Sequence, residues 1–464
     1  MKRLEDQGHK AYIVGGAVRD SFIGETPKDW DIFTDATGEE IQEIFPEGDV
    51  IGGEERQAKI LTVVVDGIEI SAFRKSGDRK EVGGTIDDHL ATCDFTINAI
   101  AMDKDGNIYD PQKGREDLFG NGVINTTEDV FIRAVGDVKE RFAEDKLRAF
   151  RAIRFQSKYD CKISSSILRA MMDIDISDLP PERIKDELMK IFRYEKGLEL
   201  LDSSGLLEQI WPEFKPMHGM EGGEYHNEDV WTHTNEAYKH SCRLTDNVMH
   251  HIASALHDIG KPPCENIRNG KINFHGHNLK GAEVAKDMME KLKFSNQDIG
   301  YVTTLIKNHM FGISGEPRLE KGYRRLYEEL ERISEKENTP YPNMVKDLTL
   351  LFYCDYQGNL ANPREKFADY LANDNHKGTK ITQNYYRFRS EHKPFTISDL
   401  KVRGSDILNM GVPGGKRIGM LLQQVFNLTV EGILQNERHE QMFWLREQIN
   451  LEKKIKDRRN ENGY

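Results

Sequence analysis

Short runs in which apolar and polar positions alternate fill the first part of the chain: AYIVGG, WDIFT, ILTVVV, IEISAF and FTINAIAMD, separated by turns rich in Gly and Asp. Alternation sends successive side chains to opposite faces of a strand, so residues 1–125 predict a mixed α/β region. From Val130 the period lengthens. In RFAEDKLRAFRAIRFQSKY, Phe142, Leu147, Phe150 and Ile153 recur mostly at three and four residue steps, and Arg148, Arg151 and Arg154 form a separate stripe, which predicts one amphipathic helix over Arg141–Tyr159. LPPERIKDELMKIF predicts another, with Pro181 near its start and Ile184, Leu188 and Ile191 in step. Helices are expected to dominate from there to the end. The Gly-rich MHGMEGGE reads as a linker, after which histidines are dense from His226 to His309, and NDNHKGTKIT marks a second break. The resulting division is a head over 1–125, a helical neck over 126–216, a histidine-rich domain over 217–375 and a helical tail over 376–464.

Composition narrows the class. The 464 residues carry 65 Lys+Arg against 78 Asp+Glu, a net charge of −13, which argues against indiscriminate polyanion binding but leaves a local basic strip open. No run approaches the roughly 18 apolar residues of a bilayer crossing, so no membrane span is expected. The start MKRLEDQGHKAYIVGG lacks the apolar core of a signal peptide, and a cytoplasmic protein is expected. Five scattered cysteines without a C-x-x-C pair fit ordinary buried thiols better than a disulfide framework or a thiolate zinc site.

Two places carry chemistry. In VGGAVRDSFIGETPKDWDIFT a strand runs into Gly15 and Gly16, then a helix bearing Arg19 and Asp20, then Asp29-Trp30-Asp31 in a second strand. Residues two apart share a strand face, so Asp29 and Asp31 can offer two hard oxygen ligands to Mg²⁺. Glycines before a helix let the backbone approach a phosphate. An isolated D-x-D would equally suit an exposed strand end. The combination G-G-x-V-R-D, then G-x-x-x-x-D-x-D, resembles the DNA polymerase β-like nucleotidyltransferases, specifically the class II tRNA nucleotidyltransferase and bacterial poly(A) polymerase family.

Further motifs follow in that family's order. DFTINAIAMD resembles its ribose-contacting motif, which implies Asp94 as the reader of the 2′-hydroxyl and Asn98 as its support. The family usually has two arginines before that aspartate, whereas Thr92 and Cys93 stand here, so a phosphate or sugar contact is missing or supplied elsewhere. Asp110-Pro111, Asp117-Leu118, Asp137 and Arg141 resemble the segment that couples head to neck. Glu144-Asp145-Lys146-Leu147-Arg148 matches the family's E-D-x-x-R element. On one helix face, Asp145 and Arg148 could pair with base edges as a protein template, or simply with each other as a surface salt bridge. Arg151 and Arg154 would lie near the same face, as holders of triphosphate or RNA backbone or as a solvated stripe. Glu69 in GIEIS is the candidate third carboxylate of the metal cradle.

The second place is the histidine-rich segment. His257-Asp258 within ALHDIGKP pairs an imidazole with a carboxylate, a combination that binds divalent metals. His233, His257, Asp258 and Asp355 fit the H…HD…D order of the HD phosphohydrolases, and His277 and His309 resemble additional ligands or phosphate contacts in parts of that superfamily. His226, His240, His250, His251 and His275 receive no assignment. In the tail, Gly404, Asp406, Gly411, Pro413, Gly414 and Gly419 lead into an amphipathic helix, a helix–loop–helix that also resembles the tRNA-contacting tail of tRNA nucleotidyltransferases, where Lys416 and Arg417 could touch backbone phosphates or equally stand as a solvated pair of charges.

The resemblance implies an α+β fold: a polymerase β-like head followed by mostly helical neck, HD and tail domains. It implies template-independent addition of CCA to tRNA 3′ ends from CTP and ATP. Asp29 and Asp31 would be catalytic and hold Mg²⁺. Gly15, Gly16, Arg19, Asp94, Asn98, Asp137, Arg141, Asp145, Arg148, Arg151 and Arg154 would bind nucleotide. His233, His257, Asp258 and Asp355 would hold a divalent metal of unspecified identity, for a phosphatase or 2′,3′-cyclic phosphodiesterase activity. The alternatives are poly(A) polymerase, a CC- or A-adding enzyme, or an HD phosphohydrolase with an RNA- or nucleotide-binding head. Oligomeric state is not fixed by any of these residues.

Overall fold

The computed structural model describes the chain except residues 52–61, 76–77, 120–130, 224–226, 269, 313–318, 337, 391–393 and 462–464. It resolves into two compact units, Met1–Pro212 and Glu213–Tyr464. The fold is mixed α+β, with one large sheet in the first unit and helices elsewhere apart from short strand pairs.

Among the described residues eleven strands lie in the first unit: β1 (Ala11–Val14), β2 (Asp31–Thr34), β3 (Asp49–Ile51), β4 (Thr62–Val65), β5 (Ile68–Ala72), β6 (Arg74–Lys75), β7 (Asp78–Val82), β8 (Ala101–Met102), β9 (Ile108–Tyr109), and a parallel pair, β10 (Phe131–Ile132) and β11 (Lys162–Ile163). Seven form a sheet in the order β3-β4-β5-β2-β1-β8-β9, while β6 and β7 make a separate hairpin. Only the β2–β5 pair in the large sheet is parallel, with Asp31 opposite Glu69 and Ile32 opposite Ile70. Alternation along these strands buries Ile32, Val63 and Ile70 with Leu4 and Ile41 on one face. Tyr12, Val14, Phe73 and Leu90 pack in a second cluster with Ala99 and Ala101.

The strand expected to contain Asp29, Trp30 and Asp31 begins only at Asp31, and Asp29 lies in the exposed connection before it. The helix expected over Arg141–Tyr159 is two helices, Val138–Glu144 and Leu147–Tyr159. Asp145 breaks it: its backbone is extended (φ −153°) and its carboxylate accepts from the Leu147 N–H at 3.1 Å. A short carboxylate side chain that satisfies a free helix-start N–H competes with continuing the preceding helix. Helix Pro181–Ile191 forms as its periodicity predicts, burying Ile184, Leu188 and Ile191.

In the second unit, helix Val230–Leu244 packs against Met344–Gly358, and His277–Lys291 against Asn296–Asn308. Helix Val248–Leu256, buried along its whole length, packs against Val230–Leu244, Asn296–Asn308 and Met344–Gly358. A hairpin of Asn266–Arg268 and Lys271–Asn273 interrupts the expected all-helical run. The C-terminal helices carry their own apolar cluster, including Leu400, Ile407, Leu421, Val425 and Leu445. Among the described residues no helix is long and apolar enough to cross a membrane.

Candidate functional site

In the first unit the acidic groups gather at the start of β2. The parallel register sets Glu69 beside Asp31, and the Glu69 N–H donates to the Trp30 carbonyl at 3.2 Å, so β5 holds the 29–31 segment in place. Partial burial, then the charges of Glu69 and Asp29, push the Asp31 carboxyl above its ordinary range. Three carboxylates that repel one another at one locus fit a hard divalent cation, which would relieve that repulsion.

Asp29 and Asp31 open onto a cleft of about 690 Å³ shared with Gly15, Gly16, Arg19, Asp94, Asn98, Arg151 and Arg154. Gly15 takes φ +82°, in the left-handed region that glycine tolerates best, and its N–H donates to Ile100 O at 3.0 Å, which ties the turn after β1 to the segment before β8. Arg19 donates to the Asn98 side-chain carbonyl, and the Asn98 amide donates to Asp94 Oδ1 at 2.9 Å. Arg151 closes the chain on Asp94 Oδ2 at 2.7 Å. Burial opposes ionisation of Asp94, but Arg151 and Asn98 win and hold its carboxyl below the ordinary value. Beneath this network Gly114 is packed so closely that a Cβ would lie 2.0 Å from Thr96 O, and Asp117 accepts from Thr96 Oγ1 at 2.6 Å.

Helix Leu147–Tyr159 contributes Arg151 and Arg154 to the cleft, and helix Pro181–Ile191 meets it through Glu187, which accepts from Arg154 Nη1 at 3.0 and 3.1 Å. Lys28, Arg74, Lys158, Lys190, Arg193 and Tyr194 also line the cleft, residues that the sequence had not singled out. They come from several elements with no shared local pattern.

Asp137, Arg141, Asp145 and Arg148 are not brought to the cleft. Asp137 caps helix Val138–Glu144, accepting from Lys139 N–H at 2.8 Å. Arg148 is 1% exposed and donates to Arg141 O, Glu144 Oε2 and Thr92 O at 3.0–3.1 Å. Arg141 donates to Ala91 O at 3.3 Å and pairs with Glu144 at 2.6 Å. Asp145 instead pairs with Arg183 at 3.3 Å. The expected shared helix face of Asp145 and Arg148 does not exist, because the helix breaks between them. Arg141 and Arg148 grip the carbonyls of Ala91 and Thr92, just before Cys93, and so brace one wall of the cleft, which Thr92 and Cys93 line.

In the second unit all six expected ligands converge. His233, His257 and Asp355 form one trio of ligand atoms, and Asp258, His277 and His309 another. Asp258 faces both: Oδ2 lies 3.3 Å from His257 Nε2, and Oδ1 lies 3.3 Å from His277 Nε2 and 3.7 Å from His309 Nε2. His233 Nε2 is 3.0 Å from Asp355 Oδ1 and 3.3 Å from His257 Nε2. Such buried sets of imidazole and carboxylate suit divalent transition metals. Without a cation, burial disfavours charge on His257, yet Asp258 and Asp355 outweigh it and hold the imidazolium up to about 10. Lys261, the last residue of H-D-I-G-K, sits 2.6 Å from Asp258 Oδ2.

Close backbone approaches fix this geometry. A Cβ on Gly260 would lie 2.1 Å from His277 O, and one on Gly358 would lie 2.9 Å from His233 O. These glycines let the His277 segment and the Asp355 helix come within ligand reach. Of the histidines without assignment, His250 bonds Ser241 Oγ at 2.7 Å and Asp347 O at 3.0 Å, and His251 bonds Thr245 O at 2.8 Å. Both serve the packing of the helices, and burial pulls His250 down to about 4. His226 lies outside the described residues.

Three protein families match parts of the chain: the Poly A polymerase head domain over residues 11–124, a probable RNA and SrmB-binding site of polymerase A over 165–217, and the HD domain over 230–348. A CC-adding tRNA nucleotidyltransferase of Halalkalibacterium halodurans is 38% identical over 213 residues, covering 44% of this chain and 51% of that protein. Poly(A) polymerase I of Haemophilus influenzae is 32% identical over 236 residues, covering 46% and 50%. The chain thus spans about half the length of these curated relatives. The crystal structure of the Bacillus stearothermophilus CCA-adding enzyme in complex with CTP shares the fold, with a TM-score of 0.58 at 22% identity over 98% of this chain and 97% of that one.

Proposed function

From a chain that joins a Poly A polymerase head to an HD domain, we propose a cytoplasmic CCA-adding tRNA nucleotidyltransferase that takes CTP and ATP without a nucleic-acid template and carries a second, hydrolytic centre. The assignment divides it into head (1–125), neck (126–216), HD domain (217–375) and tRNA-binding tail (376–464). The observation that carries the reading is an acidic group in which Glu69 stands in register with Asp31, while Asp29 and Asp31 open onto a cleft rimmed by cations.

In the head, Asp29 and Asp31, with Glu69, would hold Mg²⁺, which when bound lowers the barrier to attack at the α-phosphate and neutralises the leaving pyrophosphate. The tRNA 3′-hydroxyl gives up its proton to solvent and its oxygen bonds to that phosphorus as the bond to pyrophosphate breaks. Lys158, Lys190 and Arg193 supply positive charge to the triphosphate or RNA backbone. Arg19 and Asn98 orient Asp94 toward a ribose 2′-hydroxyl, and Arg151 and Arg154 stand where nucleotide enters. Arg141 and Arg148 support the Thr92–Cys93 wall from behind.

In the HD domain the two trios joined by Asp258 would hold divalent metal, which when bound activates water and polarises a phosphoryl oxygen. Burial of the ligands excludes other nucleophiles, and Lys261 brings a cation for substrate phosphate. The substrate class that fits is a phosphate monoester or 2′,3′-cyclic phosphate at an RNA 3′ end.

Extension of a tRNA ending at the discriminator base, at single-nucleotide resolution with CTP, ATP or both, tests the head. Two C residues, then one A and a stop, is the expected outcome. Untemplated A-tails would move the reading to poly(A) polymerase. No extension together with phosphate release would leave an HD phosphohydrolase with a nucleotide-binding head.

A further inference from the structure

The four histidines of the HD centre are not held alike. His257, His277 and His309 each turn Nδ1 to the carbonyl three residues earlier, Ser254 O at 2.8 Å, Phe274 O at 2.9 Å and Ile306 O at 2.6 Å. His233 turns Nδ1 toward a carboxylate, Glu228 Oε1, at 3.5 Å. Glu228 is itself buried, and its other oxygen accepts from the Leu360 N–H at 3.2 Å. Leu360 follows the helix that carries Asp355, and Glu228 precedes the helix that carries His233. One carboxylate therefore sits between the segments that carry two residues of the same trio.

The partner on the far nitrogen of an imidazole sets both the ring's orientation and its basicity, and an anionic partner raises basicity more than a neutral carbonyl. Around the first trio stand Asp355, Asp258 Oδ2 and Glu228, whereas the second has Asp258 Oδ1 and two histidines with carbonyl partners. Lys261 lies 2.6 Å from Asp258 Oδ2, the oxygen that faces the first trio, and offsets one negative charge there, which leaves Asp355 and Glu228 as that trio's excess.

We propose that Glu228 is a positioning residue for His233, and that it makes His233, His257 and Asp355 the tighter of two unequal metal sites, the one filled first. The proposal rests on the two-trio reading of the HD centre, and its test separates the two. Mn²⁺ is titrated into the metal-free chain carrying Asp29→Ala and Asp31→Ala, which removes the head's metal ligands, with free Mn²⁺ read from its EPR signal. This background, wild type in the HD domain, is expected to show two classes of site. Glu228→Gln keeps an acceptor for Leu360 N–H but loses the charge, and should weaken the tight class by roughly 10- to 100-fold while leaving the weak class in place. Nucleotide incorporation by Glu228→Gln with the head intact, unchanged from wild type, reports that the chain is folded. His277→Gln, with Glu228 intact, must lose the weak class and keep the tight one. If Glu228→Gln titrates as the background does, or His277→Gln removes the tight class, the proposal is overturned while the metal centre stands. If the background binds no Mn²⁺, or Asp258→Asn leaves its titration unchanged, the two-trio reading itself fails.

Discussion

The acidic cluster of the head and the HD centre bring candidate metal ligands together in opposite ways. In the head, Asp29 and Glu69 are exposed, Asp31 is half-buried, and the cations of the cleft come from loops and several helices. In the HD domain five of the six candidate ligands are buried, three of the four histidines are pinned by a backbone carbonyl on the second nitrogen, and backbone contacts set the spacing. An open site can admit ligands of different size and position, at the cost of relying on them to complete the arrangement. A closed one is organised before substrate arrives, which favours a single repeated reaction.

The sharpest way to break this contrast is to disable one centre and read both. Asp29→Ala with Asp31→Ala should lower nucleotide incorporation by a factor on the order of 1000 and leave phosphate release from a 2′,3′-cyclic substrate intact. A parallel loss of both activities in steady-state assays would mean the centres depend on each other. Asp258→Asn, which strips a ligand from both trios, should reduce hydrolysis by about 100-fold or more with incorporation preserved. Retained hydrolysis would show that the shared carboxylate is not needed.

Smaller effects sharpen the comparison. Asp347, on the helix that carries Asp355, accepts from Tyr301 OH at 3.0 Å, and burial raises its carboxyl to about 6. Because the folded chain binds this proton more tightly than the unfolded one, the group's contribution is fully present below its unfolded pKa of 3.8 and is lost as pH rises through about 6. Asp347→Asn should therefore stabilise the second unit at pH 8 by about 1–2 kcal/mol relative to its effect at acid pH, after allowance for partial exposure. Thermal melts at the two pH values check this, with the first unit as the insensitive reference. Glu187→Gln, which loosens Arg154, should raise the nucleotide KM severalfold with a smaller change in kcat, and an unchanged KM would remove Arg154 from nucleotide binding.

Much of both sites was legible in the sequence, for reasons that differ. Asp29 and Asp31 are two apart, and His257 and Asp258 adjacent, so local spacing announces them. His233, His277, His309 and Asp355 could be matched to family order, though nothing local says that they form two trios around one aspartate. Glu69 became the neighbour of Asp31 only through a parallel register across a long crossover. Arg148 misled because its three-residue spacing from Asp145 assumed a continuous helix, and Asp145 is the residue that ends it. Glu228, Lys190 and Arg193 carry no pattern of their own, and tertiary placement alone reveals them.

Gly260 and Gly358 carry a lesson about inheritance. Neither has a side chain to offer a metal, yet one added methyl at either would collide with the backbone of a helix that presents a candidate ligand. A lineage can thus silence its hydrolase while every histidine and aspartate stays in place, and a survey that scores only metal-binding side chains would count such a copy as alive.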